Sequence, residues 1–283
     1  MPEPTHRRTV LTGIGAGTAL LLGGTGSALA RGHGNGDGQG DRAALRVAHA
    51  SPDAPAVDVL VDGETAISGL AFRVVTDYLE LPAGSYEIAV AVAGTDTTVF
   101  GPVEVELAAE DYTAVALGEV TSDDTDFTVS LLEDTNGANI GGDQARVRAV
   151  HASPDAPAVD VTVNDGALTL FDGVAFGESS GYVVVPVGSY DVEVRSDTAG
   201  DDGPVVYEVP GLELEGRSTY TVFALGYLSP DDEPADEAFG LLPTLDAGAP
   251  PRRGRGGGED GDAGRGPERR GPGRRRREPP GRR

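Results

Sequence analysis

The chain is 283 residues long, contains no cysteine and carries a formal net charge of -24. Without cysteine there is no disulfide, thiolate metal site or cysteine nucleophile, whatever the compartment. The charge is uneven: residues 45–250 hold 38 acids against six arginines, residues 251–283 hold twelve arginines against five acids, and lysine is absent throughout.

A core this acidic offers no basic face to phosphate, which argues against nucleic acid as its partner. Crowded carboxylates repel one another at low ionic strength and are tolerated where salt screens them, the Debye length being about 3 Å at 1 M. Together with the loss of lysine, this reads as the protein of a halophile.

At the N-terminus, Arg7 and Arg8 precede Thr9-Val10-Leu11, no charge follows until after Ala30, and Ala28-Leu29-Ala30 has the small-residue pattern of a cleavage site. Residues 1–30 are therefore read as a twin-arginine signal peptide. Six glycines between Gly13 and Gly26 make the apolar segment weakly hydrophobic for a membrane anchor. The expected location is extracellular or cell-surface, with no transmembrane segment once the signal is removed; an uncleaved anchor is the alternative. Residues 31–44, rich in Gly and Asp, read as a flexible spacer.

From Leu45 the chain is a tandem repeat. His-Ala-Ser-Pro-Asp-Ala-Pro-Ala-Val occurs at His49–Val57 and again, letter for letter, at His151–Val159. Phe72, Tyr78, Pro82, Gly84, Ser85 and Tyr86 recur as Phe176, Tyr182, Pro186, Gly188, Ser189 and Tyr190, and Tyr112 as Tyr220. The offset drifts from 102 to 104 and then 108, as loop insertions make it do. The domains expected are a first repeat at 45–142 and a second at 143–248, each able to fold alone.

Within each repeat, short valine-rich runs are separated by turn residues every 8 to 12 positions, the signature of an all-β sandwich or barrel. Strands are expected near 45–50, 56–62, 76–81, 85–93, 98–107, 111–119 and 126–132. In the second repeat they are expected near 146–152, 158–164, 180–185, 189–195, 204–209, 218–227 and 238–242. Val57, Val59 and Val61 alternate with Asp58, Leu60 and Asp62, giving one apolar face. His49 lies in phase with Leu45 and Val47 on the face taken to be inward. Tyr112 and Tyr220 enter late strands, where each is either a tyrosine corner bonding nearby backbone or a plain core aromatic. The fold class is all-β: two tandem immunoglobulin-like or transthyretin-like β-sandwich domains.

The string Val-Ala-His-Ala-Ser-Pro-Asp-Ala-Pro-Ala-Val-Asp-Val, with Phe72, Leu-Pro-Ala-Gly-Ser-Tyr and the Tyr112–Val115 strand, resembles the domain-of-unknown-function family numbered 4397. The resemblance covers both repeats. It implies a secreted or surface-attached β-sandwich of prokaryotes, often duplicated, with no established activity. Leu81–Ala89 also resembles the turn and strand of carboxypeptidase regulatory-like and transthyretin-like domains.

His49, Ser51, Asp53 and Asp58, with His151, Ser153, Asp155 and Asp160 as the second copy, form the candidate constellation. A hydrolase reading fails on its parts: neither a nucleophile elbow nor a Gly-rich donor loop accompanies the serine, and Pro52 and Pro154 remove the neighbouring amide. No catalytic residue is assigned. In the structural reading, two prolines and an aspartate turn the chain while the Asp and Ser side chains bond local amides, and a buried histidine pins the turn through a carbonyl or a carboxylate such as Asp58. One histidine per repeat cannot build a zinc site, but oxygen-rich turns suit calcium, with Asp53 and Asp58 or Asp123, Asp124 and Asp126 as ligands. No cofactor is assigned, and calcium is the open alternative.

Residues 249–283, an Arg/Gly/Pro-rich tail, have too few apolar side chains for a core and are read as disordered; their arginines suit contact with acidic surfaces. The functional expectation is a non-catalytic extracellular or cell-surface binding or structural module whose partner is a surface glycan or protein. The alternative is a secreted hydrolase or accessory domain using the His/Ser/Asp motif.

Overall fold

The computed structural model describes residues 9–11, 42–122 and 125–248. Both repeats lie in one compact unit, within Met1–Ala249. The tail, and all of the signal and spacer segments apart from 9–11 and 42–44, lie outside the described residues.

In chain order the strands are β1 (Thr9–Leu11), β2 (Arg42–His49), β3 (Val57–Val61), β4 (Glu64–Leu70), β5 (Leu79–Pro82), β6 (Gly84–Val92), β7 (Thr98–Leu107), β8 (Asp111–Leu117) and β9 (Thr128–Asp134). The second repeat follows with β10 (Gln144–Ala152), β11 (Val159–Val163), β12 (Leu168–Val174), β13 (Val183–Pro186), β14 (Gly188–Ser196), β15 (Val205–Leu214), β16 (Ser218–Leu225) and β17 (Gly240–Ala247). The boundary near residue 142 falls in the loop between β9 and β10. β2 starts earlier than expected, at Arg42, because the backbone of 42–44 already pairs with β5.

Each repeat is a two-sheet sandwich. The first has sheets β9-β8-β2-β5 and β4-β3-β6-β7, with β1 beside β9; the second has β17-β16-β10-β13 and β12-β11-β14-β15. β2 runs parallel to β8, and β10 to β16, while the other neighbours are antiparallel. A parallel pair needs a long crossover, and here the crossover is the opposite sheet. This order of four and four strands differs from the constant-type immunoglobulin order of four and three.

β4 and β12 were absent from the strands expected. Glu64-Thr65-Ala66-Ile67-Ser68-Gly69-Leu70 is an edge strand exposed along most of its length. Its register against β3 shifts at Val59, so it shows no clean alternation for a period-two reading to find.

Alternation fills each sandwich as anticipated. Leu45 and Val47 join Val57, Val59, Ile88, Val90, Phe100 and Val105 in the first core, and Val147 joins Val159, Phe171, Val194 and Val222 in the second. The opposite face of the β2–β8 sheet is buried too. Ala48, Ala50, Val115, Leu117 and Leu132 form a third apolar cluster with Val150, Ala152, Phe223 and Leu225 of the other repeat. The repeats thus share a third core beside the two separate ones that the sequence suggests.

Candidate functional site

The motif turn links β2 to β3, and β10 to β11, at one end of each sandwich. His49 and His151 end or nearly end their strands, each about 1% exposed. Their Nε2 atoms bond the carbonyls of Pro55 (3.1 Å) and Pro157 (2.9 Å), six residues on, across the turn that the prolines force. Nε2 must carry the hydrogen, because the partner is an acceptor. Phe72 and Phe176 meet the two imidazoles edge-on at 6.2 Å between centroids. Burial lowers both histidine pKa values below the ordinary 6.5, the proline carbonyls acting in the opposite sense. The pinning role expected for histidine is realised with a carbonyl.

Ser51 Oγ donates to Gly118 O at 2.6 Å and lies 3.3 Å from Asp53 Oδ1. Asp53 accepts the amides of Val120 and Thr121 and the Thr121 hydroxyl, at 2.6–3.0 Å. In the second repeat, Asp155 accepts the amides of Leu228 and Ser229 (2.9 and 2.8 Å), and Ser153 Oγ lies 3.2 Å from Asp155. A carboxylate receiving amides satisfies donors that no strand reaches, and such charge-assisted bonds are among the stronger ones. The turn is clamped to the loop after β8 or β16. Gly118 (φ +87) and Gly226 (φ +86) open those loops, where an added Cβ would meet the carbonyls of Asp126 and Ala238 at 2.2 and 2.4 Å.

Asp58 and Asp160 do a second, separate job. Asp58 accepts Gly69 N (2.7 Å) and Gly94 N (3.0 Å), which hold its pKa below the usual carboxylate value; Asp160 accepts Gly173 N (2.9 Å) and Thr198 N (3.1 Å). Asp53 and Asp58 therefore bind different loops. Asp126 is exposed, and Asp123 and Asp124 lie outside the described residues.

Among the described residues, the group of carboxylates able to surround a cation is Asp160, Asp172 and Asp201, whose oxygens lie within 4.8 Å of one another. Asp201 raises the Asp172 pKa, the repulsion a hard cation would relieve. The sequence reading named only Asp160 of these three. Each sandwich also encloses an apolar cavity, about 30 Å³ in the first and 40 Å³ in the second. Spaces of that size without polar lining hold neither ordered water nor a ligand of drug size.

The shared face carries the most buried ionic network among the described residues, which sequence reasoning missed. Arg46 Nη2 donates to Asp246 Oδ1 of the other repeat at 2.6 Å, and Arg148 Nη2 pairs reciprocally with Asp134 Oδ1. Thr113 and Thr221 complete the ring: each accepts an arginine Nε at 2.8 Å and donates to its own repeat's aspartate at 2.6 Å. Tyr78 donates to Asp134 at 2.6 Å and Tyr182 lies 3.3 Å from Asp246, while each ring lies 4.9 Å from an arginine. Burial acts to lower the Arg46 pKa, but Asp246, Tyr78 and Asp134 hold it above the usual value. Two arginines against two aspartates leave the ring neutral, as burial requires. The signal available in sequence was the repetition of Arg46 as Arg148, in phase with apolar Ala48 and Ala50.

Tyr112 and Tyr220 accept the amides of Ala108 (3.3 Å) and Glu215 (3.2 Å), the tyrosine-corner alternative.

Two segments, 43–162 and 145–256, match the family model described as Domain of unknown function (DUF4397). No curated protein matches the chain. Among solved structures, a leucine-rich repeat protein from Bacteroides thetaiotaomicron VPI-5482 is similar at 14% identity and a TM-score of 0.17, over 66% of this chain and 26% of that one. The chain thus spans about a quarter of that protein's length. No helix among the described residues is long and apolar enough to cross a membrane.

Proposed function

The chain belongs to the DUF4397 domain-of-unknown-function family, and we propose that it is a non-catalytic binding or structural module outside, or on the surface of, a halophilic prokaryote's cell. The observation that carries this reading is the use made of the motif's polar atoms. Ser51 Oγ donates to a carbonyl rather than to an imidazole, each imidazole Nε2–H is held by a proline carbonyl, and the aspartates hold amides. A serine nucleophile needs a base within hydrogen-bond reach, and these partners serve to stiffen the turn instead. The acidic surface suits high salt, and Arg7-Arg8 with the apolar stretch to Ala30 suits export of a folded protein. The arginines of residues 251–283 suit an electrostatic tether to an acidic surface polymer.

Cell fractionation tests the location. Wild type is expected at the surface or in the medium, and Arg7→Lys with Arg8→Lys in the cytoplasm. Purified protein is then offered to envelopes stripped of glycan or of protein, and loss of binding to one of them names the partner class. Hydrolysis of generic ester or peptide substrates that is abolished by Ser51→Ala with Ser153→Ala would overturn the reading.

A further inference from the structure

The shared face relates the repeats by a reciprocal exchange, so that Arg46, Thr113 and Asp134 correspond to Arg148, Thr221 and Asp246. A face of this kind is self-complementary in principle: the arginine of any repeat could reach the aspartate of any other. Strand registers show, however, that five positions on or beside the face differ, two of them being Ala48 against Val150 and Leu132 against Thr244. Val115 corresponds to Phe223, Ser130 to Leu242, and Glu119, just beyond β8, to Tyr227 just beyond β16. At these last three positions the first repeat holds the smaller or charged residue and the second the larger or neutral one.

We propose that these positions make the face a directional recognition surface, on which a first repeat accepts a second repeat and rejects another first repeat. Glu119 and Tyr227 meet each other directly. The Tyr227 hydroxyl donates to Glu119 Oε1 at 2.8 Å, and both residues are at most 3% exposed. Because the two positions correspond, a pair of first repeats docked in the same way sets Glu119 against Glu119, two like charges out of water. Val115 and Phe223, each fully buried, lie in one apolar cluster, against which Leu242 also packs. Relative to the native pair, a first-with-first pair leaves unfilled the volume by which one phenylalanine exceeds a valine, and a second-with-second pair must fit two phenylalanines. Arg73 adds a contact in one direction only: it donates to Ala238 O and lies 3.8 Å from Glu237, whereas its counterpart is Gly177. The partner this surface fits is thus a repeat of the same fold with arginine, threonine and aspartate at the ring positions and an aromatic donor facing Glu119.

The full chain, given a protease site in the exposed loop at 137–139 and cut after folding, tests this. Two preparations with different tags on the first half are cut, mixed in mild denaturant and returned to buffer. Capture of one tag is expected to recover second halves and none of the other tag. Recovery of both tags together, or failure of the halves to rejoin, would overturn the proposal. Tyr227→Glu alone and Phe223→Val alone should each weaken the pairing about tenfold. The exchanges Glu119→Tyr with Tyr227→Glu, and Val115→Phe with Phe223→Val, should restore most of that loss. Exchanges no better than the single changes would show that these positions do not choose the partner.

Discussion

The motif turn and the shared face descend from the same duplication but have diverged differently. The turn is identical in the two repeats, and its histidine, serine and aspartate bond within their own repeat. The face keeps arginine, threonine and aspartate, the arginines and aspartates pairing reciprocally across the repeats, and differs where corresponding positions meet each other, at Glu119 with Tyr227. A side chain whose partners are local meets the same surroundings in both copies. One that meets its own counterpart in the other copy, as Glu119 meets Tyr227, does not, so complementarity there requires a difference; Arg46 meets Asp246 and Arg148 meets Asp134, and these need none.

The largest expected effect is on the face. Arg46→Met leaves Asp246 buried without its cation and should cost about 3–5 kcal/mol in denaturant unfolding, as should Arg148→Met through Asp134. Arg46→Met with Asp246→Leu should cost less than Arg46→Met alone, because no charge is left unpaired. A cost near zero for the single change would mean that the face is wet and that the comparison with the turn has no energetic content.

A smaller loss is expected from the turn. Asp53→Asn removes a charged acceptor from two amides and a hydroxyl and should cost about 1.5–3 kcal/mol. Asp155→Asn, with two amides, should cost slightly less. Thermal melts with and without chelator should coincide for the wild type; a lower melting temperature with chelator would instead indicate a cation, with Asp160, Asp172 and Asp201 as its first candidates.

The smallest effect concerns pH. Both histidines have folded pKa values below the unfolded 6.5, chiefly through burial. The unfolded chain then binds more protons as pH falls below about 6.5, so this contribution is complete above that pH and is lost as pH falls toward the folded values. Protonation at Nδ1 of His151 would also displace the Ser153 amide that it accepts at 3.3 Å. Unfolding free energy measured from pH 7.5 to 5 should decline more steeply for wild type than for His49→Gln with His151→Gln. Equal slopes would remove the histidines from the acid response.

Much of the turn was legible from residues alone. Two prolines around an aspartate force a reversal wherever they stand, and a histidine in phase with Leu45 and Val47 has to face inward and find a partner. Coordinates were needed for the identity of that partner, Pro55 O rather than Asp58, and for Ser51 and Asp53, which bond Gly118 O and the amides of Val120 and Thr121 in a loop distant in sequence instead of local amides. The edge strands β4 and β12 were not legible: β4 is exposed along most of its length and both shift register against their neighbours, which leaves no clean period to read.

By itself, the sequence determined the duplication, the all-β class, the alternation that fills each sandwich and the position of the turns, because all of these follow from residues within a few places of one another. Only the tertiary structure decided that the second side of the β2–β8 sheet is also buried. Arg46 finds Asp246 across 200 residues of chain, and no local pattern specifies a contact at that separation. Arginine in a strand is ordinarily a sign of solvent, and its meaning reverses once a second sheet supplies a carboxylate and excludes water.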